Sequence, residues 1–151
     1  MSLILATGTN LGNKSLNLEL AKEALSKKFS LIASSRPYHS APVDYLDQPD
    51  FLNQVLEFET PLGPPESILQ EIMAIESSLG RQRSIPKGPR LIDVDIIFID
   101  FQVIQTEVLS VPHPSWKERP FVWEPLMELP FFESLKQHSF WSQEEGLPFK
   151  N

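Results

Sequence analysis

A chain of 151 residues is about the size of one ordinary domain and can bury a hydrophobic core without staples. It contains no cysteine, which excludes a disulfide framework and any thiolate metal site. Its formal charge of -7 argues against a nucleic-acid binder, because such proteins draw affinity from phosphate neutralisation by Lys and Arg.

Residues 3–7 read as a short buried strand, ended by Gly8 and a polar turn through Gly12. A helix is expected over 14–29, where Leu18, Ala21, Leu25 and Phe29 recur at spacings of three and four, with Asn13 or Ser15 as its N-cap. Residues 31–35 form a second candidate strand, and the proline-rich stretch 37–49 reads as a loop. A strand over 51–60 follows, with Leu52, Leu56 and Phe58 on one face and Phe51, Asn53 and Val55 on the other. The stripe Ile68, Leu69, Ile72, Ile75, Leu79 predicts a helix over 65–79, with proline in its first turn and Gly80 as its stop. After a basic loop comes a strand over 91–99, then a short strand near Val103 and Ile104, a loop over 112–119 and a helical stretch near 124–129. The tail, 130–151, has aromatics without a clear period and receives no assignment. No apolar run approaches the ~20 residues that span a bilayer, and MSLILATGTN is too short and uncharged for a signal peptide, so a cytoplasmic protein is expected.

The order strand, helix, strand, strand, helix, strand is that of a ferredoxin-like βαββαβ core. The expected fold is α+β: an antiparallel sheet with helices packed on it, plus C-terminal additions. One domain is expected over 1–151, with its core at about 3–129.

The strand over 91–99 carries the chemistry. Alternation sends Ile92, Val94, Ile96 and Phe98 to one side and Asp93 and Asp95 to the other, the two aspartate Cα atoms about 6.6 Å apart. Neighbouring carboxylates repel unless a cation lies between them. With no cysteine, and the nearest histidine at His113, a hard oxygen-loving ion such as Mg²⁺ is the natural choice. An Asp-x-Asp alone also describes the polar face of an edge strand. Here it directly follows Arg81, Arg83, Lys87 and Arg90, although no Lys or Arg occurs between Arg36 and Arg81. Carboxylates, a hard cation and arginine forks together describe polyphosphate chemistry. No Walker-type loop is present, and the glycines at 8 and 12 read as a tight strand-to-helix connection.

The run Gly88, Pro89, Arg90, Leu91, Ile92, Asp93, Val94, Asp95 closely resembles the signature of the 6-hydroxymethyl-7,8-dihydropterin pyrophosphokinases of folate biosynthesis. Further family features occur in the same order: Gly8 to Leu11, Asp47 to Asn53, Glu76 with Gly80, Arg81 and Arg83, Val111 to His113, and Arg119 to Phe121. The resemblance implies that the hydroxymethyl oxygen of the pterin attacks the β-phosphorus of ATP and AMP leaves. It implies that Asp93 and Asp95 hold two Mg²⁺ ions and act catalytically with Arg81 and Arg90. Glu76, Arg81, Arg83, Lys87, Ile96, His113 and Arg119 would line the ATP site. Ser40, Ala41, Pro42, Val43, Phe51, Asn53 and Phe121 would receive the pterin, the two rings stacking on its faces. Relatives carry an Arg-Trp pair before the Gly-Pro-Arg; here the loop over 84–87 is shorter and Lys87 takes the tryptophan's place. The expected partners are small molecules, with neither nucleic acid nor membrane, and the expected state is a monomer. A metal-dependent nucleotidyltransferase and a non-catalytic ferredoxin-like binding module are the competing readings.

Overall fold

The computed structural model describes residues 1–42, 45–80 and 91–142. Its sheet is built from strands β1 (Ser2–Thr9), β2 (Leu31–Ser34), β3 (Tyr38–Ser40), β4 (Phe51–Glu59) and β5 (Asp93–Ile99), in the order β2-β4-β1-β5 with β3 also paired to β4. Every pairing is antiparallel. Helices α1 (Lys14–Ser26) and α2 (Pro65–Ser78) cover one face. This is the α+β, ferredoxin-like arrangement expected.

The apolar period determines what each helix buries. From α1, Leu18, Ala21 and Leu25 meet Leu3 and Leu5 of β1 and Leu52, Leu56 and Phe58 of β4. From α2, Ile68, Ile72 and Ile75 join the same cluster. Asn13 caps α1, its side chain accepting the Leu16 N–H at 3.1 Å, and α1 stops at Ser26 rather than at Phe29. Phe29 nevertheless reaches the core, edge-on to Phe58 at a centroid distance of 5.7 Å. Gly80 follows α2 with a φ of +85°, a conformation that costs an L side chain strain.

Four expectations need correction. The stretch 37–49 is not all loop: Tyr38, His39 and Ser40 pair with Asn53, Leu52 and Phe51 and form β3. Gly8 is not in the turn, because β1 continues to Thr9; the turn's positive-φ glycine is Gly12. Strand β5 begins at Asp93, not at residue 91. Finally, Phe98 lies on the opposite face from Ile96. Leu5 pairs with Ile96 but Ile4 pairs with Phe98, so Ile97 is an extra residue and the strand bulges there. A bulge puts two residues opposite one and shifts the later side chains across the sheet.

Phe98 thereby enters a second core on the sheet's other face, with Ile4, Val55, Ile97, Trp116, Val122, Trp123, Leu126 and Phe131. The cover on that side comes from the C-terminal part of the chain. After the short pair β6 (Ile104–Gln105) and β7 (Ser110–Val111) comes a 3₁₀ turn at Trp116–Glu118, followed by helices α3 (Pro120–Leu126), α4 (Phe131–Leu135) and α5 (Ser139–Ser142). One buried polar group ties this cover to the sheet. Glu57 accepts the Phe131 N–H at 2.9 Å and the Ser2 hydroxyl at 2.7 Å. Among the described residues no helix is long and apolar enough to cross a membrane.

Candidate functional site

At the end of this second face, beyond the aromatic core, strand register brings candidate chemistry together. Asp93 pairs with Gly8, Gly8 with Asn53, and Asn53 with Tyr38, so one row of four residues crosses β5, β1, β4 and β3. In the next row Asp95 faces Ala6. Residues paired across strands share a face, so Asp93, Asp95 and Asn53 look the same way. Adjacent strands lie about 4.8 Å apart, which sets roughly 10 Å between the Asp93 and Asn53 backbones. The row between them holds a glycine and therefore has no wall. A Cβ at Gly8 would lie 3.1 Å from Asn53 Oδ1 and 3.9 Å from Phe51 Cδ1.

Asn53 is held in one orientation. Its Nδ2 donates to the Tyr38 carbonyl at 3.0 Å and to Ser40 Oγ at 2.8 Å, so its amide presents Oδ1 as an acceptor. Ser40 thus acts on Asn53, and Ala41 and Pro42 follow it directly. Phe51 and Phe121 are both half-buried. Phe121 stands in the first turn of α3, and the Arg119 guanidinium lies 5.9 Å from its ring centre.

Arg119 turns back towards the acidic strand, its Nη1 3.9 Å from Asp95 Oδ2. This is a loose pairing rather than a bidentate clamp. His113 lies within electrostatic reach of Arg119 and Asp93. Its backbone N–H donates to the carbonyl of the bulged residue Ile97 at 2.9 Å, and its ring Nδ1 accepts the Ser115 N–H at 3.1 Å. With Nδ1 accepting, the ring proton of neutral His113 is on Nε2, available to an anionic oxygen. Burial and the neighbouring Arg119 charge push the His113 pKa down to about 4, against a smaller opposing pull from Asp93.

That shift predicts acid sensitivity. Between pH 6.5 and about 4 the unfolded chain binds a proton at His113 and the folded one does not, so stability falls as pH falls through this window. The loss should be about 2 kcal/mol once solvent screening of the partly open ring is allowed for. Urea midpoints at pH 7 and pH 4.5 in metal-free buffer test it, with wild type dropping more than His113→Gln; equal drops would refute the assignment.

Other expected residues have different placements. Glu76 is buried on α2, and its Oε2 accepts the Val94 N–H at 2.8 Å, which fixes the strand carrying the aspartates. The Ile96 side chain is in the helix-side core, so only its backbone could meet a ligand. Val43, Arg81, Arg83, Lys87 and Arg90, and the shortened loop over 84–87, lie outside the described residues. Single-sequence reasoning passed over the fastening of the segment 45–50. Asn10 Nδ2 donates to Gln48 Oε1 at 2.9 Å and to the Pro49 carbonyl at 3.0 Å, and Lys14 Nζ donates to the Asp50 carbonyl at 2.8 Å. The signal in the sequence was the asparagine between Gly8 and Gly12, and the structure buries it almost fully.

Comparison with known proteins finds one family throughout. Residues 4–130 match the family model described as 7,8-dihydro-6-hydroxymethylpterin-pyrophosphokinase. The chain is 39% identical over 127 residues to the 2-amino-4-hydroxy-6-hydroxymethyldihydropteridine pyrophosphokinase of Bacillus subtilis, covering 83% of this chain and 75% of that protein. It is 40% identical over 129 residues to the folic acid synthesis protein fol1 of Pneumocystis carinii, covering 85% of this chain but only 17% of that longer protein. Among solved structures, Plasmodium falciparum HPPK-DHPS with pteroate shares the fold at a TM-score of 0.63 and 16% identity, over 83% of this chain and 38% of the other. An HPPK-DHPS in complex with substrates gives a TM-score of 0.63 at 12% identity, over 92% and 46%.

Proposed function

Because this chain belongs to the 7,8-dihydro-6-hydroxymethylpterin-pyrophosphokinase family, we propose that it transfers a pyrophosphoryl group from ATP to the hydroxymethyl oxygen of 6-hydroxymethyl-7,8-dihydropterin, a step of folate synthesis. A bond forms between that oxygen and the β-phosphorus, the bond from the β-phosphorus to the α,β-bridging oxygen breaks, and AMP leaves with the bridging oxygen. The carrying observation is the shared face of Asp93, Asp95 and Asn53 across the open Gly8 row.

The acidic pair fits Mg²⁺. Among the described residues no group of three His, Asp or Glu side chains could form a closed protein cage. Two carboxylates that leave most positions to water and phosphate oxygens are the usual magnesium arrangement. Two such ions, when bound, would neutralise the triphosphate and favour in-line displacement.

The remaining work belongs to side chains. Asp93 and Asp95 fix where the phosphates lie relative to the sheet. Arg119, only loosely held by Asp95, can turn its guanidinium to phosphate oxygens, and His113 donates from Nε2 without adding a proton of uncertain occupancy at neutral pH. Arg81, Arg83, Arg90 and Lys87 are assigned to the phosphates on charge and position in sequence alone, with Arg81 and Arg90 the two given a catalytic part. Asn53 Oδ1 accepts from a pterin N–H, and Phe51 and Phe121 take the ring faces. Glu76 serves this site by holding β5, and Ile96 by its backbone. A monomer in a cytoplasmic setting completes this reading.

Incubation with ATP, Mg²⁺ and the reduced pterin should release AMP. Release of pyrophosphate would indicate nucleotidyl transfer instead, and release of neither would leave only a binding module. The open row gives a sharper test. Gly8→Ala should stay within about 1 kcal/mol of wild type, because alanine's advantage over glycine in a strand offsets the 3.1 Å approach to Asn53 Oδ1. It should raise the pterin KM about tenfold or more while sparing that of ATP, because the methyl crowds Asn53 Oδ1 on the site floor. Unchanged pterin kinetics with normal melting would show that the ring does not lie over this row.

A further inference from the structure

The two halves of the pterin pocket sit on different elements, Asn53 on the sheet and Phe121 on α3, and one carboxylate bridges them from outside the pocket. Glu128 follows α3 by two residues, with its own N–H donating to the Pro125 carbonyl at 3.0 Å. Its Oε1 accepts the Arg36 backbone N–H at 2.9 Å, and its Oε2 accepts from Arg36 Nε at 3.2 Å and from the Tyr38 hydroxyl. Arg36 Nη2 in turn donates to that hydroxyl at 3.0 Å, and its guanidinium lies 5.4 Å from the Tyr38 ring centre. Tyr38 also belongs to the other half, because its carbonyl holds Asn53 Nδ2.

We propose that Glu128 is a positioning residue for the pterin, setting the gap between the Phe121 ring and the Asn53 row by locking the end of α3 to β3. The proposal rests on the pterin reading of the site. Helix α3 has seven residues and a length of about 10 Å, with Val122, Trp123 and Leu126 buried along it, so it moves as a short rigid bar. Phe121 is at one end of that bar and the Glu128 grip at the other. An exposed ion pair alone contributes little, and 77% of the Arg36 side chain is open to solvent. Here the weight falls on three different donors converging on one carboxylate, two of them a backbone N–H and the phenol of Tyr38, which pairs with Asn53 across β3 and β4. The residues gripped are 92 and 90 positions away in sequence, so the bond joins distant parts of the chain rather than one local turn.

The experiment compares wild type, Glu128→Gln, Glu128→Asp and Tyr38→Phe by steady-state kinetics for each substrate, by fluorescence titration of the reduced pterin, and by urea unfolding. Glu128→Gln should raise the pterin KM and Kd about fivefold to tenfold, leaving the ATP KM and saturating kcat within about twofold. Tyr38→Phe, which keeps the carbonyl on Asn53, should show a smaller change of the same kind, and Glu128→Asp should recover part of the loss. A general structural role would move both substrates together in step with the urea midpoint, and that pattern would overturn the proposal. So would unchanged pterin affinity in both Glu128→Gln and Tyr38→Phe. If wild type itself neither binds nor converts the pterin, the functional reading falls and this proposal with it; loss of selectivity in the variants alone defeats only the positioning role.

Discussion

Asp95→Ala is expected to lower kcat by about three powers of ten or more, and Asp93→Ala similarly, with little change in thermal stability. Both side chains are only half-buried, and neither belongs to a hydrophobic cluster, so truncation leaves no core cavity. What is lost is the anchor for cations on the face shared with Asn53. A loss of this size corresponds to ~4 kcal/mol of transition-state stabilisation, a magnitude that cation-borne charge neutralisation readily supplies and a surface carboxylate does not. The comparison should include Mg²⁺ titration of each variant, because a weakened but surviving site would regain rate at high metal. Wild-type turnover by either alanine variant at ordinary Mg²⁺ would remove the acidic pair from the mechanism.

Phe98→Ala should cost about 3–5 kcal/mol of folding stability, the range for emptying a large aromatic site in a core. Phe98 is fully buried and centres the second core: its ring centroid lies 5.2 Å from Trp116, 5.1 Å from Phe131 and 6.1 Å from Phe140. The strand backbone and the bulge leave those neighbours little freedom to collapse inward. Val108→Ala, at a position 68% exposed, is the control and should change stability by less than about 0.5 kcal/mol. Urea unfolding measures both. A cost under about 1 kcal/mol for Phe98→Ala would mean that the C-terminal cover packs too loosely to act as core.

Much of this architecture was legible because periods survive where burial is one-sided. The Leu18 and Ile68 stripes faced a sheet and read as helices; Leu52, Leu56 and Phe58 faced those helices and read as one side of a strand. Alternation also put Asp93 and Asp95 on a common face, which their pairing with Gly8 and Ala6 shows. Elements whose form depends on distant partners were not legible. Strand β3 is three residues flanked by prolines, and only the edge of β4 makes it a strand. The tail packs its rings against scattered partners, as His138 stacks on Phe101 of the turn after β5 at 4.0 Å and Phe132 meets Trp141 edge-on at 5.0 Å, so no single stripe forms. The bulge at Ile97 was invisible because alternation assumes one residue per step. Likewise nothing in the local sequence joins Glu128 to Arg36.

The extra residue at Ile97 ties the histidine to the acidic strand. Without it, plain alternation would still hold Asp95 opposite Ala6 and Phe98 opposite Ile4 on one face, so neither the acids nor the aromatic layer depends on it. What it supplies is a backbone carbonyl that receives the backbone N–H of His113 at 2.9 Å. Deleting Ile97 would therefore spare the carboxylates and the second core while releasing the segment that carries the imidazole.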